Sequence, residues 1–184
     1  MAIGVRLVVA LVLALVVGSA WGQSSPPVGA ILTLLRAGGY VIVVRHGATH
    51  ADQADTDPLN LDNVAKQRQL NDKGRADSKA VGDAFKAAGV PIGKSISSRF
   101  YRAVETAQLI GGKAPEPTLD VSEGGLVAGR NTLVVTHKPN ILDAFGKDWF
   151  EIREGEASIF KPDGKGSYTL IARVPIDQWA AVKK

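Results

Sequence analysis

Apolar positions along the chain fall into runs of different period, and the periods predict different elements. Tyr40 to Val44 and Leu133 to Thr136 are short, β-branched and free of polar alternation, the pattern of strands buried on both faces of a parallel sheet. Ala76, Ala80, Val81, Ala84, Phe85 and Ala88 recur at helical spacing behind a capping Asn71, and Gly89 and Pro91 stop that helix. A second helix is predicted over Arg99 to Ile110, with Ser98 as N-cap and Gly111 and Gly112 closing it. A brief helix through Ile31 to Arg36 ends at Gly38 and Gly39, and Ser95 to Ser97 and Thr118 to Val121 read as further strands. Ala157 to Lys161 and Ser167 to Val174 flank the turn signal "PDGKG", which predicts a hairpin. Strands alternating with amphipathic helices give an α/β fold: three layers, a mostly parallel central sheet with helices on both faces, and an antiparallel C-terminal hairpin at its edge.

Two stretches fall outside this alternation. Leu7 to Val17 is an unbroken apolar run behind Arg6, and the small residues Ala20 and Gly22 offer a cleavage point. Residues 1–22 therefore read as a signal peptide, too short for a comfortable transmembrane span. The expected product is a periplasmic or secreted protein with no stable membrane insertion after cleavage. The second stretch, Asp52 to Gln69, is polar and aspartate-rich, a loop of the length usually reserved for function.

Composition narrows the remaining choices. Residues 23–184 form one domain, since about 160 residues suit a single core and not two. Of the 22 basic residues only Arg6 lies in the leader, which leaves 21 against 18 acidic ones, a net charge of +3. With no basic block and no interleaved aromatics, no nucleic-acid partner is expected. The chain has no cysteine, which excludes disulfides and thiolate metal sites. Nothing in the sequence sets an oligomeric state.

Both predicted central strands run into a histidine, His46 and His137, and His46 follows Arg45. In open α/β sheets ligands bind beyond the carboxyl ends of the strands. The helix predicted to start near Ser98 brings backbone N–H groups and Arg102 to the same end. Two guanidiniums, two imidazoles and a helix N-terminus suit a phosphoryl group with its spread negative charge. Cations beside an imidazole disfavour its protonated form, so a neutral His46 can act as nucleophile and form a phosphohistidine that water later hydrolyses.

These residues also carry a resemblance. "VVRHGAT", "SSRFYRAVETAQL" and "LVVTHKPN", in that order, resemble the three motifs of the histidine phosphatase superfamily, which includes the phosphoglycerate mutases, and suggest an exported bacterial member. The resemblance implies that His46 is the phosphorylated nucleophile and that Arg45, Arg102 and His137 complete the phosphate pocket, with no cofactor and no metal. It also implies a glutamate as proton donor between Arg102 and His137, for which Glu123 is the candidate, with Glu116 also in that interval. The residue after the second histidine is Lys138, where the family's acid phosphatase branch has an aspartate. The stretch Ser122 to Asn131, with Gly124, Gly125 and Gly129, is short for a parallel crossover, which implies a chain shortened there.

The expected activity is a metal-independent phosphatase acting on a small phosphoester. A non-catalytic phosphate or phospholigand binder and a mutase-like phosphotransferase remain as alternatives. Each residue also has a plainer reading: a structural histidine at a strand end, an Arg102 to Glu105 ion pair along one helix, or metal ligation by His46 and His50 with Asp52 and Asp55.

Overall fold

The computed structural model describes residues 26–118 and 129–181. The expected export segment, Glu123 and most of the Ser122 to Asn131 connection lie outside the described residues. No helix among the described residues is long and apolar enough to cross a membrane.

The chain runs α1 (Val28–Arg36), β1 (Val41–Arg45), α2 (Asp72–Ala87), β2 (Ile92–Ser98), α3 (Tyr101–Gly111), β3 (Glu116–Thr118), β4 (Asn131–Thr136), α4 (Lys138–Phe145), β5 (Ala157–Pro162), β6 (Tyr168–Val174) and α5 (Ile176–Ala180). The six strands form one sheet in the order β3-β2-β4-β1-β5-β6. β1, β2, β3 and β4 pair in parallel, and β5 and β6 add an antiparallel hairpin at one edge. β4 is buried at all six positions, as its unbroken apolar pattern requires of a central strand.

One face of the sheet packs Ile42, Val44, Leu133, Val135 and Ile159 against α1, α2, α3 and α5, through Leu35, Phe85, Ala107 and Trp179 among others. The other face packs Val43, Val134 and Phe160 against Ile141 of α4 and the Ile152 loop. The three-layer expectation therefore holds, with the layers unequally populated among the described residues.

Several local expectations need correction. Ser98 does not cap α3: β2 continues through it, the helix starts at Tyr101, and the Tyr101 amide donates to the Gln67 side chain instead (2.7 Å). β3 starts at Glu116, two residues before the expected strand, whose residues 119–121 lie outside the described residues; Pro117 is tolerated because β3 lies at the sheet edge. Helix α1 begins three residues before Ile31. α4 was not foreseen because its eight residues bury only Ile141 and leave no periodic stripe. Nor was α5, five residues with Trp179 inside.

The buried line of α2 also differs. It runs Gly74, Ser78, Val81 and Phe85, whereas Ala76 is exposed. The reason is close backbone approach: a methyl group on Gly74 would collide with the Ala48 backbone, and one on Gly47 would stand 2.9 Å from Ser78 Oγ. Small residues, Gly47, Gly74 and Ser78, are what let α2 lie against the segment following His46.

Candidate active site

Strand register brings the two histidines together. Arg45 pairs with Thr136 across β1 and β4, so His46 and His137 are the next residue on each of two adjacent parallel strands. The His46 amide still donates to the Thr136 carbonyl (3.0 Å). The ring centroids lie 5.1 Å apart, inclined by 60°.

Hydrogen bonds fix each ring. His46 Nδ1 lies 2.9 Å from the Gly47 carbonyl, which can only accept, so Nδ1 carries the proton and Nε2 keeps its lone pair. The Gly47 amide in turn donates to Thr106 Oγ1 (3.0 Å) on α3. His137 Nε2 lies 2.8 Å from Ser98 Oγ, the hydroxyl freed by the late start of α3. The Phe100 ring meets His137 edge-on at 5.2 Å.

Both imidazoles are held far below the ordinary histidine range, His46 to about 3 and His137 to about 4. Burial is the larger cause in each. Arg102 follows for His137, while for His46 the neighbouring His137, Arg102 and Arg45 add to burial and the Gly47 carbonyl opposes it. The neutral imidazole expected from nearby cations is present, chiefly for a different reason.

A cavity of about 340 Å³ opens over the two rings, lined by Arg45, Arg68, Phe100, Arg102, Lys138 and Asn140 among others. A larger cleft of about 570 Å³ between α2 and α3 contains Lys79, Asp83 and Gln108 but neither imidazole, so size alone does not mark the reactive place. Arg45 is anchored to the Ile152 carbonyl (2.8 Å) and lies 3.6 Å from Glu154. Arg102 Nη1 reaches both oxygens of Asp55 (2.9 and 3.2 Å) and its guanidinium lies over the Phe100 ring. Burial works to raise the Asp55 carboxyl, but the Arg68 amide and the Arg102 guanidinium outweigh it and hold the group below the usual range. Nε of Arg45, Arg68 and Arg102 is buried in each case with no hydrogen-bond partner among the described residues. The guanidiniums of Arg45, Arg68 and Arg102 together line one cavity, and their charge suits an oxyanion.

Of the residues expected from sequence, Arg45, His46, Arg102 and His137 come together, and Glu123 lies outside the described residues. Arg68 was missed. It belongs to the polar loop and carries no spacing signal, yet the loop is pinched shut beside the site: Thr49 bridges Leu70, and the His50 amide donates to the Gln69 carbonyl. Glu105 pairs with Arg75 (2.7 Å) and not with Arg102. Residues 46–50 form no helix, so the His46 to His50 spacing does not place both rings on one helical face, and Asp55 is committed to Arg102.

Comparison with curated protein sequences finds no match. Solved structures share the fold. A protein histidine phosphatase SixA complexed with tungstate is 20% identical, with TM-score 0.58 over 75% of this chain and 97% of that one. A phosphoserine phosphatase of Entamoeba histolytica in complex with 3-phosphoglyceric acid is 16% identical (TM-score 0.52; 76% and 98%). An alpha-ribazole phosphatase of Shigella flexneri is 12% identical (TM-score 0.52; 74% and 96%). Residues 41–158 match the profile of the Histidine phosphatase superfamily (branch 1), well over half of the chain and every motif that converges on the cavity, and the protein therefore belongs to that superfamily.

Proposed function

We propose that the protein is a metal-independent phosphatase that hydrolyses a small phosphoester through a phosphohistidine at His46. The observation that carries this reading is the Nδ1 contact of His46 to the Gly47 carbonyl, which leaves the Nε2 lone pair on a neutral ring in a cavity lined by three guanidiniums. Nε2 attacks phosphorus as the bond to the ester oxygen breaks, and the departing oxygen takes a proton from Glu123. Water, giving a proton back to Glu123, then attacks the N-phosphoryl group, restoring His46 and releasing inorganic phosphate. Arg45, Arg68 and Arg102 neutralise the equatorial oxygens throughout. With Ser98 donating to His137 Nε2, the Nδ1–H of His137 is free to donate to a phosphoryl oxygen as well. A cavity near 340 Å³ is at the small end of ligand sites, which supports a small substrate. The apolar run of residues 7–17 supports action outside the cytoplasm.

The test is hydrolysis of a generic aryl phosphate by the mature protein, with and without a chelator, beside His46→Ala. Turnover that survives chelation and is lost in the variant is expected. A folded protein that binds phosphate without turnover would replace this reading with that of a phospholigand-binding relative.

A further inference from the structure

Four cations among the described residues line the cavity, and the described carboxylates around it answer three of them. Glu154 lies against Arg45 and Arg68, and Asp55 against Arg102. Lys138 makes no ion pair with a carboxylate among the described residues. Its Nζ stands instead 4.1 Å from the centroid of Phe150, a ring 59% exposed to solvent. Lys138 is also the first residue of α4, where a positive charge opposes the helix dipole, and it shares the cavity with three guanidiniums. A cation set against both fields, with only an aromatic face in return, breaks the local electrostatic rules, and such violations concentrate at functional positions.

We propose that Lys138, braced by Phe150, forms a second anion subsite at the edge of the phosphate pocket, selecting a phosphomonoester whose leaving group carries a carboxylate or phosphate oxyanion of its own. This rests on the reading of the His46 cavity as a phosphoryl site. His46, Arg45, Arg68 and Arg102 take the transferring group, and the ammonium of Lys138, a compact point charge on a flexible stem, meets the second anion. An extra charge-assisted hydrogen bond corresponds to about tenfold or more in affinity.

The test is calorimetric titration of the mature protein with three non-hydrolysable probes: propylphosphonate, phosphonopropionate and a propane bisphosphonate. Wild-type protein should bind the two doubly anionic probes about tenfold more tightly than propylphosphonate, with the stronger of the two naming the second anion. Lys138→Met should bring the three affinities together, and Lys138→Arg should keep most of the preference. Thermal unfolding confirms that each variant is folded. Equal affinities in the wild type, or a preference undiminished in Lys138→Met, would overturn the subsite. Aryl phosphate turnover, measured alongside, separates the failures: turnover without a probe preference removes only the role of Lys138, whereas no turnover and no phosphonate binding removes the phosphoryl site and the subsite together.

Discussion

His46 and His137 face each other at 5.1 Å between ring centroids, one residue beyond a paired position on adjacent parallel strands. Two imidazoles this close, buried and ringed by guanidiniums, cannot both take a proton cheaply. The fold thus delivers two neutral rings.

That neutrality has a measurable consequence. Histidine in the unfolded chain titrates near pH 6.5, whereas these two titrate at about 3 and about 4. Both folded values are depressed, so the unfolded state binds more protons between those limits. The contribution to stability is therefore complete above about pH 6.5 and is lost as pH falls toward 4 and then 3. Urea midpoints should drop through this window, with a slope of up to roughly 1.4 kcal/mol per pH unit for each histidine, and His46→Asn should flatten it. A midpoint independent of pH over 4 to 6.5 would contradict the burial of neutral rings.

Ser98 holds His137 from the end of β2. Ser98→Ala should reduce kcat about tenfold, the scale of one lost orienting hydrogen bond, with a smaller change in KM. Ser98→Thr should recover most of the activity. Unchanged kinetics in Ser98→Ala would remove the hydroxyl from the account.

Asp55 aims Arg102 with both carboxylate oxygens. Arg102→Ala should cost about 10² to 10³ in kcat, as removal of one oxyanion donor does. Asp55→Asn, which leaves the guanidinium in place but loosely held, should cost about tenfold. Steady-state kinetics of both variants check the order; an Asp55→Asn loss as large as that of Arg102→Ala would mean that the carboxylate does more than orient.

Close packing behind His46 predicts an asymmetry between glycines. Gly74→Ala drives a methyl group into the Ala48 backbone and should destabilise the protein by about 1–3 kcal/mol. Gly29→Ala in α1 meets nothing within 4 Å and should be neutral or stabilising by up to about 1 kcal/mol. Denaturant titration of the pair decides it, and equal midpoints would contradict the tight contact of α2 with the segment after His46.

Much of this arrangement is legible in the sequence, and the rest is hidden for physical reasons. The central strands announce themselves because β-branched runs buried on both faces need no alternation, and the histidines ending them are found with them. Asn71 was readable as a cap because capping is local, and its side chain does accept from the Gly74 amide. The buried line of α2 was misplaced because Gly74 and Ser78 are inside for their size, and hydrophobicity does not register size. Ser98 looked like a cap because serine suits one, whereas a tertiary partner, His137, claims its hydroxyl and Gln67 serves the helix. Arg68 comes from a loop with no period at all, and the tertiary contacts of that loop, the Thr49 to Leu70 bridge and the Arg68 amide donating to Asp55, bring it to the cavity.

The central claim is that Nε2 of His46 accepts the phosphoryl group, and the most direct measurement is to quench the mature protein during turnover of a phosphate-labelled aryl ester and map the label. An acid-labile, base-stable label on the peptide carrying His46, absent from His46→Ala and formed at least as fast as turnover, is the predicted result. Steady turnover with no label on that peptide, or a label carried by another residue, would contradict it.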